Sequence, residues 1–306
     1  KLAEILGTTC EDGYVKVPED KGSGYLQGFV LDNSIGMMIR DCEFNDDLLI
    51  RRNFNLNPHE RILMTFNNIL PSRHGSTAQT NIENIPSIQI GKGKLNLEML
   101  YPSHTNFRSI LVTIYASNLK KLLGLQTESA ILKTIFESDQ PTIFEEIISP
   151  QIQKVALEII ENNIPENMQP LYYRIKAEEL ICLLFVALLK RENTSIQAVN
   201  EIDAQKIYKV KSKILSQLSV PPVLDILAEE VGMSKSKLKR LFKQVFGESM
   251  FNYYQRFRMQ QAARLLKERK LTVSEVGFEM GFTNLGHFTR VFEEHIGVKP
   301  KRFSLQ

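Results

Sequence analysis

Residues 227–247 read LAEEVGMSKSKLKRLFKQVFG, and residues 276–300 read VGFEMGFTNLGHFTRVFEEHIGVKP. Six positions of the first stretch recur in the second in the same order, offset by 49 residues before the internal turn and by 50 after it. The pairs are Ala228 and Gly277, Gly232 and Gly281, Leu238 and Phe288, Arg240 and Arg290, Phe242 and Phe292, and Gly247 and Gly297. Six ordered matches are difficult to obtain by chance, so this part of the chain is predicted to contain one supersecondary unit twice.

Each copy reads as a short helix, a turn that contains glycine, and a second helix, which is the arrangement of a helix-turn-helix. Ser234 is predicted to cap the second helix of the first copy, and Asn284 that of the second copy. Thr272 and Glu275 are predicted to form a capping box. The first helix of the first copy is predicted to bury Val223, Ile226, Leu227 and Val231.

The outward faces of the two second helices differ in charge. In the first copy this face is almost wholly cationic or amide-bearing, and its residues are Lys235, Ser236, Lys237, Lys239, Arg240, Lys243 and Gln244. In the second copy the outward residues are Leu285, Gly286, His287, Thr289, Arg290, Glu293 and Glu294. Because two glutamates near the end of the second face would repel phosphates, the first copy is expected to dominate any recognition of nucleic acid.

Positive charge is concentrated in the C-terminal third. Residues 201–306 hold 19 Lys+Arg against 11 Asp+Glu, and residues 1–200 hold 19 against 24. A compact basic domain binds phosphates by releasing their counterions, so nucleic acid is the leading partner for this third. The alternative interpretation is an ordinary solvated face.

A long helix is predicted between the two copies. Residues 250–267 carry an uninterrupted helical pattern, which corresponds to about 27 Å at 1.5 Å per residue. Two helices held by a rod of that length could enter successive major grooves, which lie about 34 Å apart. Arg258 interrupts the apolar stripe of this helix. Since an unpaired buried charge is costly, Arg258 is predicted to bind buried carbonyls or a carboxylate rather than DNA.

Up to about residue 116, apolar residues alternate or form short β-branched runs, which predicts an antiparallel sheet or barrel. The predicted strands are 25–31, 36–44, 48–54, 61–66, 95–101 and 109–116. Residues 71–86 are predicted to form a long, mobile loop. Two amphipathic helices are predicted over 150–162 and 171–192, and the apolar face of the second either packs on the sheet or forms a homodimer seam.

The predicted fold class is therefore α+β: an N-terminal antiparallel β-barrel followed by helices, then an all-α double helix-turn-helix domain. The first domain is predicted to comprise residues 1–192, with strands to about 116 and helices over about 117–192. A polar linker, 193–203, then leads to the second domain, 204–306.

Several classes of protein are excluded or disfavoured. No run approaches eighteen uncharged apolar residues, so no membrane span is expected. The three cysteines fit neither a disulfide framework nor a zinc site, so a reducing compartment, the cytoplasm, fits best. No Gly-x-Ser-x-Gly, Walker loop or pair of catalytic carboxylates is present, so neither an enzyme nor a catalytic residue is expected. Because His59, His74 and His104 are scattered, neither a metal site nor another cofactor is expected.

The C-terminal third resembles the DNA-binding domain of the AraC/XylS family of transcriptional regulators. The matching stretches are 227–247, RMQQAARLL at 258–266, and 276–300. The resemblance implies a sequence-specific regulator that binds double-stranded promoter DNA and works with RNA polymerase. It also implies that residues near the start of each second helix read bases, which by position are Ser236, Lys239, Arg240, Leu285, Gly286, Thr289 and Arg290.

The full set of candidate DNA contacts is Lys235, Ser236, Lys239, Arg240, Lys243, Asn284, Leu285, His287, Thr289 and Arg290. Their chemistry is suitable, because Arg and Lys donate to guanine O6 and N7 and Leu can contact a thymine methyl. Three positions depart from the family pattern. Gly277 stands where Ala is usual, Gly286 brings no side chain to a usual contact position, and Ser304 replaces a common terminal Arg.

Residues 1 to about 190 resemble the cupin-like sensor and dimerisation region of many family members in domain order and in the change from strands to helices. This resemblance implies a homodimer and a small-molecule effector of unknown identity. Four residues on predicted strands are candidates for the effector pocket, the alternative being ordinary surface or edge positions: Tyr25, Arg40, Arg51 and Tyr101. The competing function is an architectural DNA-binding protein with a constitutive dimerisation domain and no effector.

Overall fold

The computed structural model describes residues 2–51, 61–69, 86–92, 98–101, 103–124, 129–138, 142–191, 199–267 and 271–305. The chain divides into two compact units, Lys1–Ala204 and Gln205–Gln306. The long loop predicted over residues 71–86 lies outside the described residues up to residue 85.

The first unit begins with the short helix α1 (Leu2–Leu6) and continues with strands. The described strands are β1 (Tyr14–Lys16), β2 (Gly22–Val30), β3 (Ile35–Phe44), β4 (Leu48–Arg51), β5 (Arg61–Asn67), β6 (Ser87–Lys92), β7 (Glu98–Tyr101), β8 (Asn106–Tyr115) and β9 (Thr142–Ile147). Seven of them form one sheet in the order β1-β2-β3-β8-β5-β6-β9, while β4 and β7 pair separately.

The predicted antiparallel sheet is confirmed, since every described pairing is antiparallel. The barrel predicted from the same strands is not closed in the described part of the chain. The strands β1 and β9 are the two edges of an open sheet. The β4–β7 pair does not join these edges, because its two strands bond only to each other.

One face of the sheet carries the main apolar core. It is formed by alternate residues of the strands, such as Ile39 on β3, Met64 on β5 and Ile110 on β8. The helices that share this core are α2 (Ala116–Leu123), α3 (Ala130–Glu137), α4 (Pro150–Ile160) and α5 (Gln169–Leu189). The helices predicted near 150–162 and 171–192 are thus present, and we call the sheet face that they cover the helix-covered face.

The helix α5 is apolar on both sides. Leu180, Leu184 and Leu188 are fully buried in the main core, as expected for packing on the sheet. Leu171 and Ile175 on the other side are 53% and 54% exposed.

The strand β9 corrects the prediction that residues 117–192 are helical. Residues 142–145 are all buried, so this short run lacks the alternation that would mark a strand with one exposed face. Its antiparallel pairing with β6 defines it as a strand. The sequence pattern did not predict β6 either. The helix α6 (Glu201–Ser216) begins inside the predicted linker 193–203. Asn200 lies just before it, and its side-chain oxygen accepts a hydrogen bond from the Asp203 N–H at 2.8 Å.

All the regular secondary structure in the described residues of the second unit is helical. After α6 it contains α7 (Leu224–Glu230), α8 (Lys235–Phe246), α9 (Met250–Lys267), α10 (Val273–Glu279), α11 (Leu285–Ile296) and α12 (Pro300–Phe303). The pairs α7–α8 and α10–α11 are the two predicted helix-turn-helix units, and α9 is the predicted connecting helix. Phe242 of α8 packs edge-on against Tyr253 of α9, and Phe288 and Phe292 of α11 share a core with α9.

The predicted caps are confirmed. The Ser234 hydroxyl accepts from the Lys237 N–H at 3.3 Å, and the Asn284 amide oxygen accepts from the His287 N–H at 2.9 Å. Thr272 and Glu275 form the complete capping box. The hydrogen bond from the Thr272 N–H lowers the pKa of the Glu275 carboxyl. Each helix is therefore started by local side chains at the residue that the sequence indicates.

Three predicted side-chain orientations are wrong. Val223 and Ile226 are 52% and 59% exposed, because α7 begins only at Leu224 and its buried residues are Leu227 and Ala228. Gln244, predicted to face outward from α8, is 6% exposed. It lies three residues after the buried Leu241 and therefore on the edge of the inward stripe.

Candidate nucleic-acid interface

The outer face of α8 presents four of the candidate DNA contacts together. Ser236, Lys239, Arg240 and Lys243 are all exposed, and their i, i+3, i+4, i+7 spacing places them on one side of the helix. Behind them Leu238, Leu241 and Phe242 are at most 1% exposed and fix the rotation of the helix. Within the described residues, no hydrogen bond or ion pair engages the side chain of Lys239 or of Arg240. We call these four residues the α8 outer face.

Lys235 lies at the start of the same helix but is paired. Its ammonium group is 2.7 Å from the Asp225 carboxylate, and both side chains are more than half exposed. An exposed ion pair of this kind contributes little stability and exchanges readily for another partner. Lys235 can therefore contact a phosphate only after it leaves Asp225.

The candidates on α11 are less available. His287 and Arg290 are exposed, but Leu285 and Thr289 are half-buried. The Thr289 hydroxyl donates to the Leu285 carbonyl at 2.9 Å, and the Asn284 side chain is used as the helix cap. Further along the helix Glu293 and Glu294 are exposed, so the positive charge of Arg290 is followed by two negative charges.

Gly277 has a local explanation. A Cβ atom at this position would lie 2.7 Å from Leu285 Cδ2 and 3.2 Å from Phe288 Cδ1. The missing side chain therefore leaves room for Leu285 to pack against α10. This packing turns part of the Leu285 side chain away from the solvent side of α11.

Arg258 is buried inside the unit, at 5% exposure. Its Nε donates to the Met280 carbonyl at 2.6 Å, and its guanidinium lies 3.7 Å from the centre of the Phe282 ring. Burial lowers the pKa of the Arg258 guanidinium, and the nearby Tyr254 acts in the opposite direction. The prediction that Arg258 binds a buried carbonyl is confirmed.

Three exposed cations near the end of the chain were not among the predicted contacts. They are Lys299, Lys301 and Arg302, at the start of α12. The signal was present in the sequence, as the run KPKR at 299–302 directly after the second copy.

The four candidates for the effector pocket are not brought together. Arg40 and Tyr101 are buried and joined by a hydrogen bond of 2.8 Å from Nη1 to Oη. Tyr25 lies on the opposite, helix-covered face, because Leu26, and not Tyr25, is the register partner of Arg40. The side chain of Arg51 lies outside the described residues. The prediction that Tyr25 and Arg40 line one pocket is therefore wrong, because neighbouring side chains on β2 point to opposite faces of the sheet.

The described part of the chain contains no group of three or more His, Cys, Asp or Glu side chains that could hold a metal ion. Among the described helices, none combines the length and the hydropathy that a membrane span requires.

Known proteins show sequence similarity mainly to the second unit. Residues 227–306 match a family described as a helix-turn-helix domain. The HTH-type transcriptional regulator GbdR of Pseudomonas aeruginosa is 31% identical over 96 residues, which are 31% of this chain and 26% of GbdR. The regulatory protein PchR of the same organism is 27% identical over 183 residues, 59% of this chain and 60% of PchR. The chain thus spans from about a quarter to three fifths of these relatives.

A solved transcriptional regulator from Chromobacterium violaceum, described as containing an AraC-type DNA-binding domain, is 28% identical. The match covers 35% of this chain and 96% of that one, with a TM-score of 0.33. The helix-turn-helix match begins within α7 and includes both copies of the repeated unit. Residues 227–306 therefore form a helix-turn-helix domain similar to those of AraC/XylS-type transcriptional regulators.

Proposed function

We propose that the protein is a sequence-specific regulator of transcription that reads double-stranded promoter DNA with the α8 outer face. The observation that carries this proposal is the exposed position of Lys239 and Arg240 on one side of a helix that is anchored from behind. A helix of this kind fits the major groove, where Arg and Lys donate to guanine O6 and N7. The face of α11, with its two glutamates, contributes less to the choice of sequence.

The first unit supplies control in this proposal. It binds a small-molecule effector and forms a homodimer, and the DNA-bound protein contacts RNA polymerase in the cytoplasm. The buried Arg40–Tyr101 pair supports a binding site. The exposed apolar residues Leu171 and Ile175 on α5 support a dimer contact.

An architectural protein that binds DNA without choice of sequence is the competing function. Selection from random duplexes with the full-length chain separates the two, because a regulator enriches a defined motif and an architectural protein returns none. The regulators among its relatives give no support to an enzymatic activity.

Arg240→Ala is expected to weaken binding to the enriched site by about 1–3 kcal/mol and to relax the choice of one base pair. Because this variant loses a contact to a base, its affinity for random duplexes should fall much less than its affinity for the enriched site. The measurement is the dissociation constant on the enriched and on a scrambled duplex at one fixed salt concentration.

Lys243→Ala is the matched control on the same helix face. Lys243 lies one turn further from the start of α8, where a phosphate contact is expected, so its loss should weaken all duplexes alike. Equal losses on both duplexes for both variants would contradict base reading by α8.

Replacing Glu293 and Glu294 together with Gln is expected to raise the affinity for every duplex about threefold or more at low salt, because two charges that repel phosphates are removed. The double variant should leave the selected motif unchanged. An unchanged affinity would show that this end of α11 stays away from the DNA backbone.

A further inference from the structure

Arg40 is a buried cation whose hydrogen-bonding capacity is only partly used. It is 9% exposed, and its Nη1 donates to the Tyr101 hydroxyl. Its Nε and Nη2 are buried and have no hydrogen-bond partner among the residues that the structure describes. Since buried polar groups in folded proteins are nearly always paired, these two donors require an acceptor that the described residues do not supply.

The two unpaired donors lie on one edge of the guanidinium plane. The N–H bonds of Nε and Nη2 run side by side along that edge, which is the geometry that binds both oxygens of a carboxylate. Asp41, the next residue, does not fill this role. Its side chain points to the helix-covered face, where its carboxylate lies 3.2 Å from Arg108 Nε.

The surroundings of Arg40 would strengthen an ion pair between its guanidinium and a carboxylate. Cys42, two residues along on the same face of β3, is 2% exposed, and burial raises the pKa of its thiol to about 12 although the charge of Arg40 opposes the rise. The Tyr101 ring packs 4.5 Å from the ring of Phe107 in a small apolar cluster on this face. An ion pair in such a dry region is stronger than one in water.

Polar residues continue from Arg40 across the sheet. The register places Arg40, Ser109, Asn67 and Ser87 next to each other on β3, β8, β5 and β6. Neighbouring strands lie about 4.8 Å apart, so this polar row extends about 14 Å. Ser109 and Ser87 are both 5% exposed, whereas the helix-covered face of the same strands is mainly apolar apart from the Asp41–Arg108 pair. A polar row of this length, half-buried at Asn67 and buried at its other members, offers hydrogen bonds to a ligand of a few carbon atoms or more.

We propose that this face binds a small organic acid, with the carboxylate on the free Nε–Nη2 edge of Arg40 and a polar group of the ligand at Ser109 and Asn67. The inference deepens the proposed function, on which it rests for the regulatory meaning of the ligand. Among the described residues of the polar row, Arg40 is the only base. A monoanion therefore balances the charge, whereas a phosphate dianion would leave excess negative charge buried.

The test is thermal unfolding of the full-length chain with acetate, lactate or benzoate, each compared with its neutral amide at constant ionic strength. At about a hundred times its dissociation constant, an acid that binds should raise the midpoint by about 5 °C. The matching amides, which lack the charge, should not. Arg40→Met should abolish the rise while keeping the chain folded, since it removes unsatisfied donors from a buried position.

Arg61→Met is the matched control. Arg61 lies on the same sheet face but is stacked 4.2 Å from the centre of the Tyr115 ring, at the far end of β5, so this variant should keep the full response. Arg40→Lys keeps the positive charge but lacks the two-donor edge, so this variant should lose most of the rise in the unfolding midpoint. Nitrogen-15 NMR of the wild-type chain gives a second readout, because acetate should shift one arginine Nε–H resonance that is missing from Arg40→Lys.

The proposal is overturned if no acid raises the midpoint, if amides act like acids, or if the response survives in Arg40→Met. Selection from random duplexes is run on the same preparations. A motif without a carboxylate response refutes only the organic-acid site. A carboxylate response without a motif refutes only the proposed function.

Discussion

Gly281→Ala is expected to destabilise the second unit by about 3–4 kcal/mol, because two separate costs add. The backbone of Gly281 has φ of 75°, in the left-handed region that costs an L-residue about 1–2 kcal/mol. A Cβ atom would also lie 2.0 Å from the Ser219 carbonyl oxygen. That oxygen belongs to the backbone, so relieving the clash requires the chain segment before α7 to move. The measurement is urea unfolding of the full-length chain, followed by circular dichroism.

Gly297→Ala is the matched control for that substitution. Gly297 has a similar φ of 87° at the end of α11, but nothing lies within 4 Å of the position that its Cβ would occupy. Only the conformational cost applies, so we expect a loss of about 1–2 kcal/mol. Equal losses of stability for the two variants would contradict the close packing of the turn between α10 and α11 against Ser219.

Arg258→Met is expected to cost about 2–4 kcal/mol of stability. The substitution keeps the length of the side chain but leaves the buried Met280 carbonyl without the donor that binds it at 2.6 Å. It also removes the contact of the cation with the Phe282 ring. Because Met280 and Phe282 lie in the turn between α10 and α11, this loss should loosen the second helix-turn-helix unit before the first.

Arg264→Met, on the same helix, provides the comparison. Arg264 is exposed, so its replacement should change the unfolding free energy by less than about 0.5 kcal/mol. Arg258→Met should also keep its affinity for DNA at temperatures where it is folded, since its guanidinium faces the interior. A folded Arg258→Met variant with a large loss of DNA affinity would show that Arg258 contacts the duplex.

The parts of the fold that depend on neighbours in sequence could be predicted. Ser234, Thr272 and Asn284 cap helices through bonds to residues three positions away, and these contacts follow from the sequence spacing alone. The repeat in turn defined both helix-turn-helix units. The interior position of Arg258 followed from the cost of burying an unpaired charge, which only a nearby carbonyl or carboxylate could offset.

The parts that depend on distant partners could not be predicted. The strand β9 is defined by its bonds to β6, and its buried residues 142–145 give no alternation to read. Tyr25 and Arg40 were grouped because both lie on strands, although the register places them on opposite faces. The polar row was not predicted, because its members come from four different strands and meet only through the register of the sheet.

Gly277 illustrates a third limit, which is set by packing between helices. Its small size matters because Leu285 occupies the space that a Cβ would fill, at 2.7 Å. The sequence marks the glycine as unusual but does not say which neighbour takes its place. Only the positions of α10 and α11 connect this residue with the reduced exposure of Leu285.

Parallel selections from random duplexes with the wild-type chain and with Arg240→Ala address the role of α8 in reading DNA. The wild type should return a defined motif, and Arg240→Ala should return the same motif with the preference at one base pair lost. The absence of any motif with the wild type, or an Arg240→Ala motif that is unchanged at every position, would contradict recognition of DNA by the α8 outer face.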